Sequence, residues 1–185
     1  MDAFSYLSVL LSIIIGLAIT QVLQGYRSLL LSRHRVKLFF PPLAWSGYII
    51  LIAVQMWWSS FGLANRPEWS FFAFTIILLQ TILFYMMAAL VLPDMPPEDT
   101  IDLRAHYFRE CGPFYGVFVA TVVVSITKNV TLDGGMSPIE WAFHGFFVGV
   151  GTLAAVVRRP YLHHAVTGAI GLMFLTYIAV LFAHL

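Results

Sequence analysis

The sequence predicts an all-α membrane protein with six transmembrane helices. Three observations carry that prediction. The chain has 185 residues, 60% of them hydrophobic and only 10% charged, where soluble domains carry about a quarter charged. The apolar residues form six continuous runs, each near the roughly 20 residues needed to cross about 30 Å of hydrocarbon. The basic residues collect in alternate loops, as in multi-pass proteins with a fixed orientation.

Each run is expected to be a helix because it is continuously apolar and does not alternate. A backbone in lipid must also satisfy its own hydrogen bonds. The expected spans are 4–26, 43–62, 70–92, 111–130, 138–157 and 162–183, one transmembrane domain over 1–185. Met1-Asp2-Ala3-Phe4 lacks the basic start and cleavage site of a signal peptide, so the first run is expected to be retained. Pro41-Pro42, Pro93, Pro96-Pro97, Pro138 and Pro160 are expected to flank spans. Pro113 is expected in the first turn of the fourth.

Loop one carries Arg27, Arg33, Arg35 and Lys37, loop three Arg104 and Arg109, and loop five Arg158 and Arg159. Odd loops thus hold eight of the ten basic residues, while loop two has Arg66 and Lys128 borders loop four. The positive-inside rule then puts odd loops in the cytoplasm and both termini on the periplasmic side. Trp57, Trp58, Trp69 and Trp141 fall at the expected outer interface and Trp45 at the inner one.

Much is excluded. A net charge of +1 gives no reason to expect nucleic acid. The single cysteine, Cys111, cannot close an internal disulfide. No interval between runs could fold as a soluble catalytic domain. There is no nucleophile triad, phosphate-binding glycine loop or HExxH, so enzymatic activity is not expected. Asp94, Glu98, Asp99 and Asp102 of loop three lack the paired-aspartate spacing of a Mg-diphosphate site and read as a solvated loop.

Ser8, Ser12, Gly16, Thr20 and Gln24 recur every four residues along one ridge of the first span. Gly145 and Gly149 form a GxxxG pair in the fifth. Small residues let membrane helices approach closely, so both ridges are expected to be helix-packing interfaces, within one bundle or between copies. Gln55 and Gln80 lie inside spans two and three, where an amide needs a partner or water. Faint echoes between Pro42-Leu43-Ala44-Trp45-Ser46 and Pro138-Ile139-Glu140-Trp141-Ala142, and between Ile19-Thr20-Gln21 and Ile126-Thr127-Lys128, suggest a weak 3+3 inverted repeat. Their offsets differ, so no single alignment accommodates them.

Two clusters are candidates for chemistry. Lys128 and Asn129 end span four, and Glu140 and His144 lie one turn apart early in span five. This group suggests an ion, proton or ligand site, with Glu140 as acceptor, His144 as relay and Lys128 as counter-charge. The plainer alternative is a Lys128–Glu140 pair at the interface, with His144 bonding a neighbouring helix. At the other end, His106 and Glu110 share a face near His163 and His164, a donor set that suits a divalent metal without matching a strong motif. Haem is disfavoured, because His144 has no histidine at matched depth.

The segments Phe4-Ser5-Tyr6-Leu7-Ser8-Val9-Leu10-Leu11-Ser12 through Gln21, Asp102-Leu103-Arg104-Ala105-His106-Tyr107 and Ala142-Phe143-His144 together resemble an uncharacterised family of short six-helix bacterial membrane proteins. The resemblance implies a bacterial inner membrane and brings no activity, cofactor or functional residue. Three functions remain open at this point. The first is a small ion, proton or solute channel or transporter in the lipid bilayer, as a homo-oligomer. The second is a non-catalytic subunit or scaffold of a membrane complex. The third is a haem or metal redox protein.

Overall fold

The computed structural model describes residues 3–65, 68–94 and 100–181. Arg66, Pro96-Pro97, Glu98, Asp99 and the end of the last expected span lie outside the described residues. The helices are α1 (Ala3–Leu31), α2 (Phe40–Ser60), α3 (Phe71–Val91), α4 (Leu103–Leu132), α5 (Pro138–Val156) and α6 (Pro160–Leu181). Each is long and apolar enough to cross a membrane.

The helix starts follow from local chemistry. The Ser70 side chain accepts the Ala73 N–H at the head of α3, and Asp102 accepts the N–H groups of Arg104 and Ala105, both at 3.0 Å, at the head of α4. That cap explains why α4 begins well before the apolar run. The Ala105 N–H holds the Asp102 carboxyl below the usual carboxylate range, helped by the Arg104 N–H and the charges of Lys37 and Arg104. Pro113 is therefore inside α4, not in its first turn. Its missing N–H leaves a carbonyl one turn earlier without a helical partner. Pro41 and Pro42 do not flank α2 but form its first turn, where N–H groups have no helical partner in any case.

The packed pairs close a ring in the order α1, α3, α4, α5, α6, α2 and back to α1. An inverted repeat would match the extensive α3–α4 contact with an α6–α1 contact, which is not among the substantial ones made by the described residues. The packing therefore does not repeat as the echoes suggested. Because the helices alternate in direction, loops one, three and five share one end of the ring. There β1 (Val36–Lys37) pairs in parallel with β2 (Ile101–Asp102), joining loop one to loop three.

α1 buries Leu7, Leu11, Ile15, Ala18, Val22 and Leu29, a ridge at helical spacing. The small-residue ridge lies elsewhere. Gly16, Thr20 and Gln24 are exposed, and the Ser8, Ser12 and Thr20 hydroxyls turn back onto carbonyls of their own helix. Gly145 and Gly149 are exposed as well, with no atom within 4 Å of an added Cβ. Neither glycine ridge packs inside the bundle. The close approaches occur at Gly25, against the Leu92 side chain, and at Gly151 and Gly171. A Cβ on Gly151 would stand 2.8 Å from the Phe118 ring and 2.9 Å from a Val119 methyl, and one on Gly171 would collide with the Tyr48 hydroxyl.

Trp57, Trp58 and Trp141 are exposed at one end. Trp45, expected at an interface, is instead wholly buried at 0% exposure.

This packing separates two nearby glycines. Gly151→Leu should cost about 1–3 kcal/mol by overpacking and lower the melting temperature in detergent. Gly149→Leu should leave it unchanged.

Candidate functional site

The two ends of the ring differ. At the end bearing loops two and four, a cavity of about 800 Å³ enters the bundle. Early residues of α1, α3 and α5 and late residues of α2, α4 and α6 line it, which is one end of an alternating bundle. Its polar lining includes Gln55, Gln80, Ser125, Lys128, Asn129 and Glu140, with Glu68 and Asp133. Gln80 lies nine residues past Phe71, roughly 14 Å down the helix. The two intramembrane glutamines thus face a space roomy enough for water.

The structure brings together three of the four residues expected here, Lys128, Asn129 and Glu140. Their roles differ from those expected. The Glu140 carboxylate accepts both the N–H and the O–H of Ser137 at 2.7 Å, while the Ser137 hydroxyl accepts the Glu140 N–H at 3.4 Å. This reciprocal pair is a capping box at the head of α5. Glu140 is thus committed to its helix terminus. Ser137-Pro138-Ile139-Glu140 carries that signal in plain sight.

His144 is buried behind the cavity wall and does not line it. Its Nδ1 lies 2.8 Å from the Glu140 carbonyl oxygen and its Nε2 lies 3.3 Å from Ser125 Oγ. A carbonyl can only accept, so Nδ1 carries the proton and Nε2 accepts from Ser125 in the neutral ring. Ser125 alone separates His144 from the cavity on this path.

The opposite end is closed by a hydrogen-bonded chain through three helices. Trp45 Nε1 donates to the Tyr115 hydroxyl at 3.0 Å. The Tyr115 and Tyr107 hydroxyls are 2.8 Å apart, and Tyr107 lies 2.9 Å from His163 Nδ1. His163 Nε2 reaches the Val157 carbonyl oxygen at 2.8 Å. The chain's direction follows from its ends. Indole nitrogen can only donate and a carbonyl can only accept. With His163 neutral, Nε2 donates to Val157, so Nδ1 accepts from Tyr107 and Tyr107 accepts from Tyr115. The Thr167 hydroxyl is fully buried nearby without a hydrogen bond of good geometry, the one such side-chain atom among the described residues.

Rings pack around this chain edge to face, including Phe114 at 4.9 Å and Phe118 at 5.2 Å from Trp45. Tyr107, Cys111, Tyr115, Phe118 and Val122 form one buried face of α4. Their helical spacing was readable in the sequence, but it marks a face, not the partners that face meets.

The suggested metal ligands separate. His163 belongs to the buried chain, whereas His164 is exposed and stacks on Phe40 at 5.9 Å. His106 donates through Nε2 to the Leu90 carbonyl at 3.3 Å, and Arg109 bridges its Nδ1 to Glu110. Among the described residues no three histidine, cysteine or carboxylate side chains converge.

Comparisons with family models, with curated proteins and with solved structures found no match.

The hydrogen-bond directions are measurable. Selective ¹⁵N labelling of histidine at neutral pH should show His163 protonated at Nε2 and His144 at Nδ1. Tyr107→Phe should cost about 1–3 kcal/mol, because it leaves His163 Nδ1 and the Tyr115 O–H without partners. Thermal or chemical unfolding in detergent would read that loss.

Proposed function

We propose that this chain is a small-solute carrier that binds its cargo from the side of loops two and four. The observation that carries this reading is the cavity. A bundle serving only as a spacer has no need for about 800 Å³ lined by amides, hydroxyls and Lys128, because polar groups facing hydrocarbon or voids are costly. Binding pockets typically fall between about 300 and 1,000 Å³. The aromatic and hydrogen-bonded closure at the other end favours alternating access over an open channel. Transport would require the Trp45–Tyr115–Tyr107–His163 contacts to separate.

The orientation follows from charge. The closed end carries the odd loops, with eight of the ten basic residues. In a bacterial inner membrane the positive-inside rule makes that end cytoplasmic and the cavity periplasmic.

A second reading has its own support. The ridge through Gly16 and Thr20 and the Gly145/Gly149 pair both face away from the bundle. Small residues there suit contact with another membrane helix, as in a homo-oligomer or a subunit of a complex. Co-purification of a partner after mild solubilisation would support it, and a lone monomer would count against it.

The carrier reading predicts sidedness. Ser59→Cys and Gln55→Cys should react in intact cells with a membrane-impermeant maleimide applied from the periplasm, while the native, buried Cys111 should not. Absence of labelling at both positions would refute an open cavity, and labelling only from the cytoplasm would reverse the orientation.

A further inference from the structure

We propose that Ser125 and His144 form a nucleophile–base pair and that the cavity hydrolyses carboxylic esters. This goes beyond the carrier reading and does not rest on transport. It requires only that the cavity admit water and a small ester.

Hydroxyls in membrane helices commonly turn back onto their own backbone. Ser12, Thr121 and Thr127 do so, each donating to the carbonyl four residues earlier. The hydrogen bond of Ser125 runs elsewhere, 3.3 Å across to His144 Nε2 on α5. The histidine is set to receive it. Its Nδ1 donates to the Glu140 carbonyl at 2.8 Å, which leaves Nε2 as the unprotonated nitrogen. His144 is buried and packs edge to face with Tyr177 of α6, so the ring keeps its orientation. A nucleophile, a base in the required tautomer and an acceptor that orients the base are the parts of a serine hydrolase site. The buried His163 and His106 have no such pair, because their Nδ1 atoms face Tyr107 and Arg109.

Of the pair, Ser125 lines the cavity and His144 stands behind it. Ser125 lies seven residues before the end of α4 at Leu132, about 10 Å inside it. Asn129 lines the cavity one turn further along the same face. Its side-chain amide can donate to an oxyanion formed at Ser125. Leu11, Ile15 and Ile77 give the wall an apolar stretch that suits an acyl chain. A volume of about 800 Å³ holds a small ester together with water.

The chemistry closes on these groups. Ser125 Oγ attacks the ester carbonyl carbon while its proton passes to His144 Nε2. The carbonyl oxygen takes the electron pair and becomes the oxyanion that Asn129 meets. As the pair returns, the bond to the alcohol oxygen breaks, and His144 gives that oxygen its proton. Water then attacks the acyl-serine and gives a proton to His144. The acyl–Oγ bond breaks, Oγ regains the proton and a carboxylic acid leaves. Ester and water thus become acid and alcohol, with no other co-reactant. Esters are favoured over amides because an alkoxide leaves more readily than an amine anion. The ester could be a water-soluble one entering from the mouth or that of a lipid.

The test is labelling of the purified full chain in an uncharged detergent with a fluorophosphonate carrying a fluorophore. Peptide mass spectrometry then maps the adduct, which the wild type should carry on Ser125. His144→Gln, which can still hydrogen-bond but takes up no proton, should label at least about 100-fold more slowly. Ser125→Ala should not label, and an unchanged melting temperature in both variants would exclude a folding defect. Hydrolysis is followed with p-nitrophenyl acetate and with phospholipid vesicles. Turnover of the first alone assigns a water-soluble ester, and release of fatty acid from the vesicles assigns a lipid. No adduct on wild-type Ser125, an adduct on the cavity residues Ser59 or Ser60 instead, labelling unaffected by His144→Gln, or hydrolysis of neither ester would overturn the proposal. The wild-type adduct decides even if a variant unfolds. If Ser59→Cys reacts with the maleimide but Ser125 takes no fluorophosphonate, this inference alone fails. If Ser59→Cys and Gln55→Cys are both unreactive, the carrier reading fails as well.

Discussion

The constraint on which the rest of the structure depends is that polar groups buried at the closed end must find partners without water. Trp45, Tyr115, Tyr107 and His163 solve this as one directed chain ending on the Val157 carbonyl. Its members come from α2, α4 and α6, which are not consecutive in sequence. Forming the chain therefore draws three separate helices together, and α5 and the loop after it are held through Val157. A half-satisfied version would be worse than an apolar core. The closed end therefore favours one arrangement of helices, with Gly171 leaving room for the Tyr48 hydroxyl to reach the Thr167 carbonyl at 3.3 Å.

The open end obeys the opposite rule. Gln55, Gln80 and Lys128 sit at depths where lipid would penalise them, yet each borders the cavity. Water or ligand can satisfy them there, so no fixed protein partner is needed. Trp45, Tyr107, Tyr115 and His163 at the closed end are consumed by the fold, while the Gln55 and Gln80 amides at the open end face the cavity. That division is what makes the cavity, not the histidine clusters, the centre of the functional account. Glu140 shows the boundary between the two regimes, since it lines the cavity while its carboxylate is spent on capping α5.

The six helices were legible in the sequence because hydrocarbon imposes a length and a composition on each run. Their ends were less so. Asp102 carries α4 beyond its apolar stretch, a local cap that hydropathy does not register. The ring order was not legible, since it depends on which faces meet. Trp45 has the position of an interfacial anchor in sequence and is a core donor in space. The nearness of Lys128, Asn129 and Glu140 on one cavity wall was legible, because one short loop joins the end of α4 to the start of α5. The capping role of Glu140 is legible as well, because Ser137 three residues earlier completes the capping-box pattern. The glycine ridges were readable as patterns, but a spacing of four cannot say whether a face turns inward.

The most direct test of a bundle sealed at one end and wet at the other is radiolytic hydroxyl footprinting of the reconstituted protein. The account predicts fast oxidation of Met56, on the cavity wall, and protection of Trp45, Tyr107 and Tyr115. Rapid modification of those three, or protection of Met56, would contradict it.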